Sequence, residues 1–429
     1  MASDIFAVAR CWPIAVRVIF GLGLALSIWA QPAQVAQAEA QVKPRPNDLA
    51  TSYHTHFAAE FFTDKATARV TITVSQDEPV IKFFDFNAPA DKYTLIQGDG
   101  EVRVGDGRMI WSPPATGGSL TYTVNIDHRR DDAFDAMHSA GWVLMRLGDL
   151  FPAARVRARK GARSVSSLVL KGPQDWGFES RYGSLVTSKT LPSTDRVFTR
   201  PTGWLVGGNI GTRREVINGR RVAVSAPVNS GVRRLDTLAF LRWTLPALSR
   251  VFPDLPQRIL VAGAPRQMWR GGLSAPGSLY LHADRPLISE NGTSTLLHEL
   301  VHLAGMHSST EGADWIVEGV AEYYSLLILK RSGGLSVKRF DATIDKLRVW
   351  VIKDKGVLTD PSKGVDTAAA VLTLHALAAE LQDEGSHIDQ LIWNLLSVET
   401  VSTASLVDGA AMLLGHPSVV LNQQLTCQK

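Results

Sequence analysis

The chain has 429 residues, with 45 Lys+Arg against 41 Asp+Glu and 45% hydrophobic residues. That composition excludes a disordered protein, the length exceeds what a single hydrophobic core usually serves, and a formal net charge of +4 gives no electrostatic reason for a nucleic-acid partner. Only two cysteines are present, Cys11 and Cys427, which excludes a disulfide scaffold and a cysteine-based metal site.

Residues 1–40 are expected to be an export signal. Arg10 and Arg17 supply positive charge, Val18 to Ala30 is an unbroken apolar run, and Ala36-Gln37-Ala38 and Ala38-Glu39-Ala40 are small-residue cleavage candidates. The run is 13 residues long. A membrane span needs roughly 20, so removal rather than anchoring is expected. No later stretch is long and apolar enough to span a membrane. A mature chain with Cys427 alone suits a bacterial periplasm, or secretion, without dependence on disulfides.

Residues 41–50, polar and proline-bearing, are expected to be a linker. Residues 51–165 are expected to form a β-sandwich. Ala68 to Val74 and Leu120 to Ile126 alternate with period two, and Gly98-Asp99-Gly100 and Gly105-Asp106-Gly107 resemble hairpin turns. Ala154 to Arg163 is basic at alternate positions, the pattern of one solvated strand face. Residues 166–332 mix strand and helix. Leu235 to Phe252 has helical periodicity with a kink expected at Pro246, Arg258 to Ala262 is a buried-strand candidate, and Gly271 to Leu281 is expected to form another strand. From Ser294 the chain is mostly helical, over about 294–306, 313–332, 336–352, 366–384 and 386–397; residues 333–429 form a C-terminal helical region.

Chemistry concentrates in Thr295-Leu296-Leu297-His298-Glu299-Leu300-Val301-His302-Leu303. A four-residue spacing stacks His298 and His302 on one helical face, where two imidazoles can hold one Zn²⁺. Glu299 can reach a zinc-activated water without ligating the metal, and so act as general base toward a carbonyl. The flanking leucines and Val301 bury this helix, and buried polar groups are costly unless satisfied. A third ligand is sought in Asp314-Trp315-Ile316-Val317-Glu318-Gly319-Val320-Ala321-Glu322-Tyr323-Tyr324. Glu318 follows His302 by 16 residues, so an antiparallel second helix would return it to the metal. Glu322, one turn on, is placed to accept from a ligand imidazole, and Asp314 is a further candidate to support the ligands. His307, five residues after His302, stands out of register for a third histidine ligand.

His298 to His302 together with Trp315 to Tyr323 resembles the gluzincin zinc peptidases, in particular the glycyl aminopeptidase and aminopeptidase N families. The resemblance implies an α+β protein in which an N-terminal β-sandwich precedes a thermolysin-like α/β catalytic domain and C-terminal helices. It also implies His298, His302 and Glu318 as ligands of one zinc ion, and Glu299 as the base. Two departures stand out. Those families carry a strand glutamate that holds a substrate's free amine; here the strand reads Gly271-Gly272-Leu273-Ser274-Ala275. They also carry an oxyanion-stabilising tyrosine before a helix beginning Lys-Gly-Ala-Leu; the stretch Asp366 to Leu377 has none. His307, Tyr323, Gly272 and Leu273 are the candidates for oxyanion or substrate contact. The expectation is an exported zinc metallopeptidase acting on a peptide or protein substrate, inclined toward internal cleavage or narrow specificity. The alternative is a zinc-retaining binding protein of the same fold with little catalysis.

Overall fold

The computed structural model describes residues 52–192 and 196–426; the expected export signal and linker, Cys11 and Cys427 lie outside them. Period-two alternation becomes strand as expected. Ser52–Phe61 and Thr67–Ser75 bury alternate side chains and pair antiparallel, with Phe57 opposite Ile72. They belong to a six-stranded sheet that also contains Lys189–Thr190, Arg163–Lys171, Gly117–Asn125 and Tyr93–Gly98. A four-stranded sheet of Ala154–Ala158, Ile81–Asn87, Arg108–Ser112 and Glu101–Gly105 shares its core. That core is aromatic: Phe57, Phe84, Phe86, Trp111, Tyr122 and Phe151 are fully buried, and Phe84 stacks on Trp111 with ring centroids 5.6 Å apart.

Two sequence expectations are corrected here. Asp106-Gly107 makes a true two-residue hairpin, both residues having positive φ (51° and 69°), the requirement of a type I′ turn. Gly98-Asp99-Gly100 does not: the strand before it pairs with Gly117–Asn125 in one sheet, and the strand after it with Arg108–Ser112 in the other. It is a crossover between sheets, which local turn composition does not distinguish from a hairpin. The boundary expected at residue 165 also falls inside a strand. Arg163–Lys171 runs parallel to Ser52–Phe61, a long-range pairing without a local sequence signal.

A second six-stranded sheet follows, in the order Gly183–Ser184, Gly177–Ser180, Trp204–Gly208, Trp142–Arg146, Ala133–Ser139 and His128–Arg130. Leu144, Trp204 and Val206 from it pack with Leu260, Ala262 and Tyr280 of a five-stranded sheet. The five strands lie in the order Ile210–Ile217, Arg220–Pro227, Arg258–Ala264, Ser278–His282 and Gly272–Ala275. The middle three are parallel and the two outer ones antiparallel to their neighbours. Gly271 to Leu281, expected as one strand, is thus a hairpin that turns at Pro276-Gly277, with Gly277 at φ 63°. Gly272–Ala275 is an edge strand paired on one side only.

The described helices are α1 (Leu147–Leu150), α2 (Arg234–Val251), α3 (Thr295–Leu303), α4 (Asp314–Arg331), α5 (Val337–Asp354), α6 (Val365–Asp383), α7 (Ile388–Leu396), α8 (Thr403–Leu414) and α9 (Val419–Thr426). α2 continues through Pro246. Helices α2 to α9 and the five-stranded sheet share one large apolar core. Its centre is α4, which buries Trp315, Ile316, Val320, Tyr324, Leu326 and Ile328 completely or nearly so. Among the described residues no helix is long and apolar enough to cross a membrane.

Gly319 sets how closely α4 approaches α6. A Cβ there would lie 2.7 Å from the Ala370 Cβ, inside any normal contact. Gly319→Ala is therefore expected to force the two helices apart and to destabilise the protein by about 1–3 kcal/mol, the usual cost of overpacking. Denaturant or thermal unfolding beside wild type checks this, and an unchanged or raised stability would show that the contact relaxes freely.

Candidate metal centre and its cleft

α3 starts at Ser294, whose side chain accepts from the Leu297 N–H (3.3 Å) and caps the helix. Leu296, Leu297, Leu300 and Val301 then face the core and are fully buried. This orientation turns His298, Glu299 and His302 to the other side of α3. The turn after Leu303 bends back so that the Met306 carbonyl accepts from His302 Nδ1. Ten residues later α4 comes past. His298 meets both Glu318 and Glu322, whereas His302, further along α3, meets Glu318 alone. The rising number on one helix matched to the falling number on the other shows that the pair is antiparallel.

The free ring nitrogens converge. His298 Nε2 and His302 Nε2 are 3.0 Å apart, and Glu318 places its carboxylate oxygens 3.3 Å from the first and 3.5 Å from the second. Three ligands at roughly 2.0–2.2 Å from a tetrahedral zinc ion would stand about 3.3 Å from one another. The donor set, two imidazole nitrogens and one carboxylate, therefore fits a divalent ion in both chemistry and spacing, and among the described residues it is the one such group found.

Each imidazole is oriented from behind. Glu322 Oε2 accepts from His298 Nδ1 at 3.1 Å, and the Met306 carbonyl does the same for His302. Both Nδ1 atoms thus carry the proton, which leaves the Nε2 lone pairs for a ligand. The electrostatics favour positive charge at this point. Burial disfavours an imidazolium, yet hydrogen bonds that His298 donates to the Glu318 and Glu322 carboxylates raise its pKa to about 10. Burial and then the charge of His298 drive His302 down. Burial also opposes ionisation of Glu318, but the two histidines hold its carboxyl below the ordinary range.

Glu299 sits beside the triad and is only 7% exposed. Burial is the main cause that lifts its pKa to about 7, opposed by His298 and by hydrogen bonds from the backbone and hydroxyl of Ser274. Ser274 belongs to the edge strand Gly272–Ala275, and Gly272 is where that strand crosses α3. A Cβ on Gly272 would lie 2.5 Å from Thr295 Cγ2 and 2.9 Å from the Glu299 carboxylate, so only glycine admits this approach.

A cavity of about 560 Å³ opens over the triad. Gly272, Leu273, His307, Asp314 and Glu318 line it together with His298, Glu299 and His302, so most of the residues singled out from sequence meet in one place. Tyr323 does not. It is buried on another side of α4, against Tyr324 and His375, and lines a separate cavity. An odd-numbered step from Glu322 turns it about 100° round the helix, away from the imidazoles. Asp314 is in the cleft but touches neither histidine; it accepts from the Ser362 N–H (2.7 Å) and so ties down the segment before α6. Asp360 accepts from the Gly312 N–H (2.7 Å) and ties the same segment a second time.

Several cleft residues escaped the sequence reading: Arg130, Trp269, Ser274, Ser309, Ser362 and Lys363. Lys363-Gly364 directly before α6 was a readable sign. Arg130 had none, because it arrives from the preceding sheet: Trp269 donates its N–H to the Phe134 carbonyl (2.8 Å), which docks the strand pair His128–Arg130 and Ala133–Ser139 beside the cleft.

No protein-family model and no curated protein sequence matches the chain. Among solved structures, it is similar to an aminopeptidase N family protein from Idiomarina loihiensis, with a TM-score of 0.61 and 12% sequence identity over 83% of this chain and 72% of that one. At that identity the likeness establishes an aminopeptidase-like α+β fold.

Outer partners of metal-bound histidines typically contribute 10–100-fold to affinity. Glu322→Ala is thus expected to weaken Zn²⁺ binding by about that factor while the protein stays folded, as read by competition with a chromogenic chelator; an unchanged affinity would show that Glu322 does not orient His298.

Proposed function

We propose that this chain is an exported zinc-dependent metallopeptidase, a hydrolase of peptide bonds built on a thermolysin-like catalytic domain. The observation that carries the reading is the convergence of His298 Nε2, His302 Nε2 and Glu318 within 3.0–3.5 Å, with a buried carboxylate, Glu299, at their side. The aminopeptidase-like fold supports it, as does the apolar run at residues 18–30 for export.

In this reading His298, His302 and Glu318 hold the zinc ion. When bound, it supplies Lewis acidity, which makes water acidic near neutral pH and polarises a carbonyl oxygen. Glu299 accepts a proton from the attacking water as the water oxygen bonds to the carbonyl carbon. It then returns the proton to the amide nitrogen as the C–N bond breaks, so one residue acts as base and then as acid. The unpaired edge of Gly272–Ala275 offers backbone groups to an extended peptide, which would lie as an added strand across the cleft. Ser274 restrains the Glu299 carboxylate from that same strand, coupling substrate alignment to the position of the base.

A second reading, a zinc-retaining binding protein with little catalysis, is favoured by one observation. No tyrosine lines the cleft, and Tyr323 faces elsewhere. Oxyanion donors contribute about 10²–10³ in rate. His307 is the cleft residue proposed to serve instead.

Turnover of a diverse peptide mixture separates the two. Wild type with one equivalent of zinc is expected to cleave and to stop when the metal is chelated. Glu299→Gln is expected to keep the metal and lose at least about 10²-fold in rate, and Glu318→Ala to lose the metal. Full zinc occupancy without cleavage would support the binding protein, and an active Glu299→Gln would overturn the mechanism.

A further inference from the structure

The peptidase reading leaves the choice of substrate open, and the charges of the cleft speak to it. Three acidic side chains line the cavity: Glu299, Glu318 and Asp314. All three are engaged, Glu299 by Ser274, Glu318 by the two histidines and Asp314 by the Ser362 N–H. Besides the histidines, two basic side chains line the same cavity, Arg130 and Lys363, and neither has an ion-pair partner among the described residues. They come from different elements, Arg130 from the sheet that precedes the metal-binding helices and Lys363 from the segment tied down by Asp314 and Asp360. Arg130 is also held in place: its guanidinium lies 4.6 Å from the centroid of the Trp269 ring, and the indole Nε1 donates to Asp131 (3.1 Å). One oxygen of the neighbouring carboxylate thus faces the indole, and no ion pair joins Asp131 to Arg130 among the described residues.

Resting on the peptidase reading, we propose that the cleft selects peptides bearing a carboxylate close to the scissile bond, and that Arg130 and Lys363 receive it. A guanidinium and an ammonium without partners in a concave site raise the local concentration of anions, and the planar guanidinium offers a carboxylate two parallel hydrogen bonds. The carboxylate has two possible sources, an Asp or Glu side chain or the chain's C-terminus. An unprotected N-terminal amine meets only acids that already hold a partner within the protein.

Binding is measured by calorimetry on zinc-loaded Glu299→Gln with four sets of short peptides of equal length. One set carries acidic side chains and an amidated C-terminus, one a free C-terminal carboxylate with neutral side chains, one is neutral and amidated, and one is basic and amidated. At least one of the first two sets is expected to bind about tenfold to a hundredfold tighter than the neutral set, the usual worth of a hydrogen bond to a charged group. Which of the two does so identifies the source. The preference is expected to collapse toward unity in the Arg130→Gln/Lys363→Gln double variant, with its zinc stoichiometry unchanged. Equal or tighter binding of the neutral or basic sets, absence of binding by all sets, or a preference that survives the double variant would overturn the proposal. The peptidase reading is scored separately on wild type: cleavage of neutral peptides without carboxylate preference sinks this inference alone, and carboxylate preference without cleavage sinks peptidase activity alone.

Discussion

Two imidazoles and a carboxylate share a half-buried space at the crossing of α3 and α4, and the rest of the structure depends on satisfying them. Isolated, each would be expensive to bury. Here Glu322 and the Met306 carbonyl take up the two Nδ1 protons, and Glu318 supplies negative charge in front. What remains unsatisfied is an attraction for a positive ion at one point. The local electrostatics express it already, for the carboxylates stabilise an imidazolium on His298 despite burial.

Holding that geometry is the task of the apolar frame. α3 is only nine residues long, too short to be stable by itself, and its four fully buried residues fix its rotation against the core. Two glycines then set the two distances that matter. Gly319, next to Glu318, lets α4 settle on α6, and Gly272 lets the edge strand pass close enough for Ser274 to reach Glu299. The connection between α3 and α4 is short, and it is stitched to the C-terminal helical region where Thr310 N–H meets the Val401 carbonyl (2.8 Å). A brief, anchored loop leaves α4 little freedom to slide, so Glu318 stays in register with both rings.

What could be read from the sequence was whatever has a local period or spacing. His298 and His302 one turn apart, Glu318 and Glu322 one turn apart, and the apolar residues between them were enough to assemble the triad on paper, and the helices of the second half follow from the same periodicity. The missed features are those created by distant parts of the chain. The parallel pairing of Arg163–Lys171 with Ser52–Phe61 puts residue 165 inside a strand, and the crossover at Gly98-Asp99-Gly100 looked like a hairpin because a turn's composition does not say which sheet the next strand joins. Tyr323 was a reasonable candidate by proximity in sequence to Glu322. One step along a helix is nonetheless a rotation of about 100°, and it sends the phenol to the far side of α4. The same helical arithmetic that places His302 over His298 removes Tyr323 from the cleft.

Arg130 shows how the N-terminal sheets contribute to the walls of the cleft. Leu144, Trp204 and Val206 share a core with Leu260, Ala262 and Tyr280 of the five-stranded sheet, so the two layers are packed apolar face to apolar face. The strand pair His128–Arg130 and Ala133–Ser139 is thereby carried to the edge of the half that holds His298, His302 and Glu318, and is clamped there through Phe134 and Trp269. A cation on that pair becomes a wall of the cleft without any change to α3 or α4. In the peptidase reading chemistry and selectivity would be built on different layers: α3 and α4 must hold the triad's spacing to within a few tenths of an ångström, whereas the neighbouring strand pair can alter its side chains at little cost to the triad. In that reading substitutions at Arg130 act on which peptide is held, and substitutions at Glu318 on whether a metal is held at all.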